Sequence, residues 1–277
     1  MNKKLAVSNI AWNQQQEAEV LEALSQLEIN ALEVAPSVVW PNWQGASEEA
    51  AVQYRKQLEQ RGFQVVAMQA ILFAKPEATL FENDQINQKF VDHMRYVARL
   101  AHGLEAKAVV FGAPKNRRRG DLPLETAMQL AAQCFADLGS YYFEQGSCLC
   151  IEANPTQYEC DFITNSFDAV RLVEMAQSQG FQLHLDSACM TLAGEDIPAA
   201  FANGKKHLRH FHASEPQLAN FDQPTIDHQP IAQQLAAVEF PGFVSIEMRQ
   251  TSTESIKNAC NFVYSAYLKE RDLCKLQ

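Results

Sequence analysis

The chain has 277 residues, 47% hydrophobic and 20% charged, with a formal net charge of −10. This ordinary globular composition carries an acidity that argues against nucleic acid as a partner. No run is long and apolar enough to span a bilayer. The odd total of seven cysteines suits reduced thiols better than a disulfide framework. Met1–Asn2–Lys3–Lys4 has the charge of a secretion signal, but the apolar run behind it stops at Ser8–Asn9, too short for a signal's hydrophobic region. The expectation is a cytoplasmic protein with no membrane and no nucleic-acid partner; a homo-oligomer stays open.

Strand-like and helix-like runs alternate along the whole chain. Leu5–Trp12 reads as a strand, and Gln14–Leu27 as a helix with Val20, Leu21, Leu24 and Leu27 on one face. Ala31–Ala35 is a second strand, stopped by Pro36, and Ser47 caps a helix that Gly62 closes. Gln64–Phe73 is a strand, Gln85–His102 a helix, Ala106–Gly112 a strand and Leu124–Glu144 a helix. Ser147–Glu152 is the fifth strand, followed by a helix over Ser166–Ser178, capped by Ser166 and closed by Gly180. Gln182–Asp186, a short helix Ile197–Asn203, His207–His212, a helix Ile231–Val238, Phe243–Glu247 and a last helix Thr253–Lys269, capped by Ser252 or Thr253, complete the pattern. Eight strand–helix units in this length predict a closed (β/α)8 TIM barrel, with residues 1–277 as a single domain. An open doubly wound sheet is the alternative, but no phosphate-binding glycine motif follows any strand.

Strand side chains two apart share a face. Glu152 therefore lies with Cys148 and Cys150, Asp186 with His184, His212 with His210, and Glu247 with Ser245. The opposite face carries Leu149, Ile151, Leu183, Leu185, Phe211, Val244 and Ile246, which suit a ring of helices. The polar sets then point into the barrel. Glu152, Asp186, His212 and Glu247 each stand at the C-terminal end of a strand, where active sites of this architecture lie. Three carboxylates meeting in a partly dry cavity must either take up protons or bind a cation. Oxygen ligands with one imidazole suit Mn²⁺, Mg²⁺, Co²⁺ or Zn²⁺.

Six further residues are candidate substrate contacts, each with a plainer alternative. His184, like His210, lies one layer deeper and suits a hydrogen-bonded core histidine. Cys189 follows Asp186 and suits a small packed residue. His228 falls in the loop after the seventh strand, where a surface histidine fits equally well. Arg117, beside Arg118 and Arg119, follows the fourth strand and is either a phosphate clamp or part of a solvated loop. Glu33 ends the second strand. Trp12 is either a hydrophobic wall for a sugar or core.

These motifs resemble those of the sugar phosphate isomerase/epimerases of the xylose isomerase-like barrel superfamily. The resemblance rests on Ile151–Glu152–Ala153–Asn154–Pro155 with Asp161–Phe162–Ile163–Thr164–Asn165, on His184–Leu185–Asp186, on His212–Ala213–Ser214–Glu215–Pro216 and on Ser245–Ile246–Glu247–Met248. It implies one divalent metal, most often Mn²⁺, held by Glu152, Asp186, His212 and Glu247. It also implies a small carbohydrate substrate chelated through its carbonyl and a neighbouring hydroxyl, with Glu152 and Glu247 as the acid and base on carbon. Proton return to the opposite face epimerises; return to the neighbouring carbon isomerises. The chain departs from the family's ketose 3-epimerases at two positions: Cys189 replaces a histidine three residues after the Asp ligand, and Leu218 replaces an arginine six residues after the His ligand. Apurinic-site endonucleases share the barrel but use three zinc ions and more histidines, whereas this chain offers Gln69, Gly112 and Cys189. Two other readings stay open: a lyase of the keto-inositol dehydratase type on the same metal scaffold, and a non-catalytic sugar-binding barrel.

Overall fold

The alternation of buried strands and one-sided helices closes into a ring. The computed structural model of the protein describes residues 3–269. Met1 and Asn2 of the signal-like N-terminus, and the seventh cysteine, Cys274, lie outside the described residues. The barrel strands are β1 (Leu5–Ser8), β2 (Ala31–Val34), β3 (Gln64–Met68), β4 (Ala108–Phe111), β5 (Leu149–Glu152), β6 (Phe181–Asp186), β7 (Leu208–Ser214) and β8 (Val244–Glu247). Neighbours pair in parallel all the way round, and β1 closes the ring by pairing with both β2 and β8. The outer helices are α1 (Glu17–Gln26), α2 (Glu48–Gln60), α3 (Gln88–Leu104), α4 (Leu124–Glu144), α5 (Ser166–Ala176), α6 (Ile197–Gly204), α7 (His228–Ala237) and α8 (Thr253–Val263). No helix among the described residues is long and apolar enough to cross a membrane.

Each strand divides its side chains as the period of two requires. Leu149, Ile151, Leu183, Leu185, Phe211, Val244 and Ile246 all join the large apolar layer between strands and helices. Burying each such side chain is worth about 1.5–3 kcal/mol, so a one-residue slip in any strand would be heavily penalised. The barrel interior is different. One side holds a small cluster of Ala67, Ala108, Cys148 and Cys150. The other holds the buried polar residues Glu33, His184, His210, His212 and Ser245. The register shifts between Leu32 and Glu33 and between Leu183 and His184. An irregularity of this kind re-aims the side chains that follow it, and here both are interior polar groups.

Several boundaries differ from the sequence reading. β1 ends at Ser8, and the chain continues as a tight turn over Asn9–Ala11. β3 stops at Met68, well short of Phe73, and β7 runs on to Ser214. Pro36 does more than stop a strand: it opens a short helix, Pro36–Val39, where its missing N–H costs nothing. A two-stranded hairpin, Phe81–Glu82 with Gln85–Ile86, sits in the loop before α3. Asn165, not Ser166, caps α5, accepting from the Asp168 N–H; Ser166 is the first helical residue, and its hydroxyl meets Glu195. Gly180 does not close α5. The left-handed residue there is Gln177, while Gly180 lies where any Cβ would strike the Gly139 carbonyl at 2.0 Å. The last helix ends as an α-helix at Val263 and continues as a π-turn over Tyr264–Leu268.

Candidate active site

β5, β6, β7 and β8 end side by side, and the last inward residues of β5, β6 and β8 meet His212, which stands two residues before the end of β7. Ligand atoms of Glu152, His184, Asp186 and His212 all lie within 4.8 Å of one another. Glu247 joins from β8, with Oε2 3.2 Å from His212 Nδ1, and Asp186 Oδ2 lies 4.0 Å from the same nitrogen. His184 thus stands in the same group, fully buried, and is not the hydrogen-bonded core histidine that its sequence position suggested. Both of its ring nitrogens lack a hydrogen-bond partner among the described residues. Its ring meets that of His212 edge-on, with centroids 4.2 Å apart.

Hydrogen bonds fix most of these groups. Asp186 doubles as the N-cap of a short helix, Ser187–Leu192: Oδ1 accepts the Cys189 N–H at 2.7 Å. Its Oδ2 accepts the Ser214 hydroxyl at 2.5 Å. His212 Nε2 donates to Glu33, at 2.9 and 3.0 Å from the two carboxylate oxygens. Glu33 also takes His210 Nε2 at 3.1 Å and the Ser245 hydroxyl at 2.6 Å. With Nε2 engaged, His212 turns its other nitrogen, Nδ1, towards Asp186 and Glu247. No hydrogen bond of good geometry satisfies that nitrogen, although Glu247 lies 3.2 Å away; without an ion these carboxylates favour a proton on it, and a cation would have to displace that proton. Gly112 leaves the room Glu152 needs, since a Cβ there would lie 2.2 Å from its Oε2.

The electrostatics follow from this crowding. Burial, then the charges of Asp186 and Glu247, push the Glu152 carboxyl up to about 8. Burial and Glu247 likewise raise Asp186. Burial opposes the charged form of Glu33, but the imidazoles of His212 and His210 outweigh it and hold that carboxyl well below its ordinary range. Burial also opposes charge on His212, yet Glu33 and Glu247 hold it well above the usual imidazole value. His184 is driven well below that value by burial and by the two neighbouring histidines. A compact acidic set with an unsatisfied imidazole nitrogen suits a divalent cation, which would take the place of protons on the raised carboxyls.

A cavity of about 370 Å³ opens above these residues, within the ~300–1,000 Å³ range of small-molecule sites. Glu152, Asp186, Glu247 and Cys189 line it. The Cys189 thiol lies 3.6 Å from Asn154 Nδ2 and 3.7 Å from Glu152 Oε1. Gln69, Asn154, Tyr158, Ser214 and Glu215 also line the cavity, and the sequence reading did not single them out as site residues. For Ser214 the signal was present: it lies two residues beyond His212 and so shares its face.

Five of the six candidate substrate contacts do not line this cavity, and neither does His212; His184 and His212 belong to the buried cluster beneath it. Arg117 is fully buried, with its guanidinium spent on the carbonyls of Phe162, Phe111, Gly112 and Ile163 and on Asn154 Oδ1. It is neither a phosphate clamp nor part of a solvated loop; it ties the loop after β4 to the loop after β5. His228 is buried on α7, bonded to Tyr267 at 2.6 Å and Glu215 at 2.7 Å, so both nitrogens are consumed by the protein. Glu33 lies beneath the site, with both oxygens engaged. Trp12 lines a neighbouring cavity.

The closed barrel and the buried His/carboxylate cluster at the C-terminal ends of its strands define the class. The sequence profile of the xylose isomerase-like TIM barrel family matches residues 21–266, and the chain belongs to that family. No curated protein matches the chain significantly in sequence. Among solved structures, a D-psicose 3-epimerase in the presence of D-fructose superposes with a TM-score of 0.79 at 14% identity, covering 95% of this chain and 99% of that one. An L-ribulose 3-epimerase gives 0.79 at 15% identity, over 100% and 98%. The IOLI protein with a bound zinc atom gives 0.73 at 15%, over 96% and 99%. At these identities the likeness is one of fold.

Two predictions follow from the geometry. Metal-free Glu152 keeps its proton below about pH 8, and a ligand carboxylate must lose it, so Mn²⁺ binding near neutral pH should release protons and tighten as pH rises towards 8. Titration calorimetry in buffers of different ionisation heat reads this directly; binding without proton release contradicts it. Glu33→Gln should lower metal affinity about 10–100-fold by freeing the His212 ring, and an unchanged affinity would show that the pair does not orient it.

Proposed function

We propose that this protein is a divalent-metal-dependent carbohydrate epimerase or isomerase, with the ion held by Glu152, Asp186, His212 and Glu247. The observation that carries the proposal is the convergence of Glu152, Asp186 and Glu247 on His212, whose ring is fixed from behind by Glu33. Mn²⁺ is the ion we favour, because three of the four donors are hard oxygens. The barrel match to two sugar 3-epimerases supports a carbohydrate substrate, and the zinc atom in the IOLI structure supports metal binding on this fold.

When bound, the ion polarises a substrate carbonyl and stabilises the negative charge that develops on its oxygen. The chain's own residues do the rest. Glu33 keeps the Nε2 proton on His212, so Nδ1 is the nitrogen that would give up its proton and offer a lone pair to an ion. Ser214 and the Cys189 N–H hold both oxygens of Asp186. Glu152 and Glu247 enter the cavity from two non-adjacent strands, β5 and β8. In this reading one removes the proton beside the carbonyl and the other returns it. Return to the opposite face of the same carbon epimerises it.

The test is a screen of ketoses, aldoses and keto-glycosides by NMR in D₂O with Mn²⁺-loaded protein. Turnover should place solvent deuterium on carbon without loss of water. Glu152→Gln and Glu247→Gln should each reduce turnover about 10²–10⁴-fold with the fold intact. Full activity in either variant removes that glutamate from the chemistry.

A further inference from the structure

A second cavity, of about 610 Å³, opens beside the first on the same end of the barrel. The loops after β1, β2, β3 and β8 line it. Ala70 and Phe73 line both cavities, so the two share a wall. Phe73 is 67% exposed, more than any other large apolar residue described. Its backbone is nonetheless pinned: the carbonyl accepts Trp43 Nε1 at 2.8 Å and the N–H donates to Ala70. Ala70 and Ala74, on either side of it, take left-handed conformations with φ of 52° and 58°. Such conformations are costly in non-glycine residues and persist where the surroundings impose them. The loop thus holds an aromatic ring in the open at the junction of two cavities.

The chemistry of the second cavity is uniform. None of its lining residues is ionisable. Phe73 and Val38 supply apolar wall, backed by Trp12, which is core at 2% exposure; Asn13, Gln15 and Gln250 supply amides. Aromatic faces and uncharged amides match a polyhydroxylated ring, whose C–H face packs on carbon and whose hydroxyls bond to amides. They do not match a phosphate, which calls for guanidinium, ammonium or clustered N–H groups. The inner cavity offers no better phosphate site. Its one cationic lining residue, Lys115, lies 3.3 Å from Glu159, and its acidic lining is Glu152, Asp186, Glu215 and Glu247. Arg118 is bonded to Glu159, and Arg119 to the Asp161 and Leu122 carbonyls.

We propose that the substrate is an uncharged glycoside or oligosaccharide spanning both cavities. The carbonyl-bearing ring sits over Glu152 and Glu247, and the neighbouring glycosyl ring rests against Phe73. This rests on the epimerase reading for the inner ring only. The outer subsite is a matter of binding and is measured without turnover.

The experiment is titration calorimetry of Mn²⁺-loaded protein with cellobiose and maltose, with glucose, and with glucose 6-phosphate. At least one disaccharide should bind about ten-fold or more tighter than glucose, and glucose 6-phosphate no tighter than glucose. Val38→Trp, which fills the outer cavity, should bring the disaccharide-to-glucose ratio to about one; Gln15→Ala, on an exposed side chain, should lower it several-fold. Equal affinity for one ring and two, tighter binding of the phosphate, or a ratio untouched in both variants overturns the proposal. A disaccharide preference without deuterium exchange would sink the epimerase reading alone; exchange on monosaccharides without that preference would sink the extended substrate alone.

Discussion

Glu33 and His212 meet inside the barrel through hydrogen bonds of 2.9 and 3.0 Å, and the rest of the site depends on that contact. A buried carboxylate normally resists charge, and so does a buried imidazole. Each makes the other's ionised form tolerable. The pair also decides direction. A histidine has two nitrogens, and holding one from beneath commits the other to the mouth of the barrel. Without Glu33, nothing would hold His212 Nε2 from beneath, and the nitrogen offered to the cluster would lose its fixed orientation.

The barrel makes this arrangement affordable in space. Alanine and cysteine side chains fill one side of the interior, leaving the other for imidazoles and carboxylates. The apolar half of every strand is committed to the helices, so the polar half has nowhere to go but inwards. Adjacent strand ends then bring together groups that would repel one another if they were all ionised. The raised carboxyls of Glu152 and Asp186 express that conflict. A divalent ion would resolve it.

The inward faces of β5 to β8 were legible in the sequence because period-two alternation is a local signal. The C-terminal placement of Glu152, Asp186, His212 and Glu247 followed from the same pattern. What escaped was set by contacts between distant loops. Arg117, Arg118 and Arg119 look alike in sequence, yet the first is buried among carbonyls while its neighbours turn to Glu159 and Asp161. Nothing local distinguishes them. His228 looked like a free loop histidine because its partners, Glu215 and Tyr267, lie 13 and 39 residues away. Glu33 was placed at the right strand end, but a register shift just before it sends it under the site, and such shifts leave no clear mark in composition. The helix Ser187–Leu192 is too short for a periodic signal, although its cap, Asp186, was already singled out for another reason.

The claim at the centre of this account is that one ion is held by oxygens and a single imidazole. X-ray absorption spectroscopy of Mn²⁺-loaded protein tests it most directly. The account predicts a shell of oxygens with one imidazole and no sulfur. A sulfur neighbour would bring in Cys189; a second imidazole would bring in His184; a shell without any imidazole would leave Glu33 holding His212 for nothing. Each of these would contradict it.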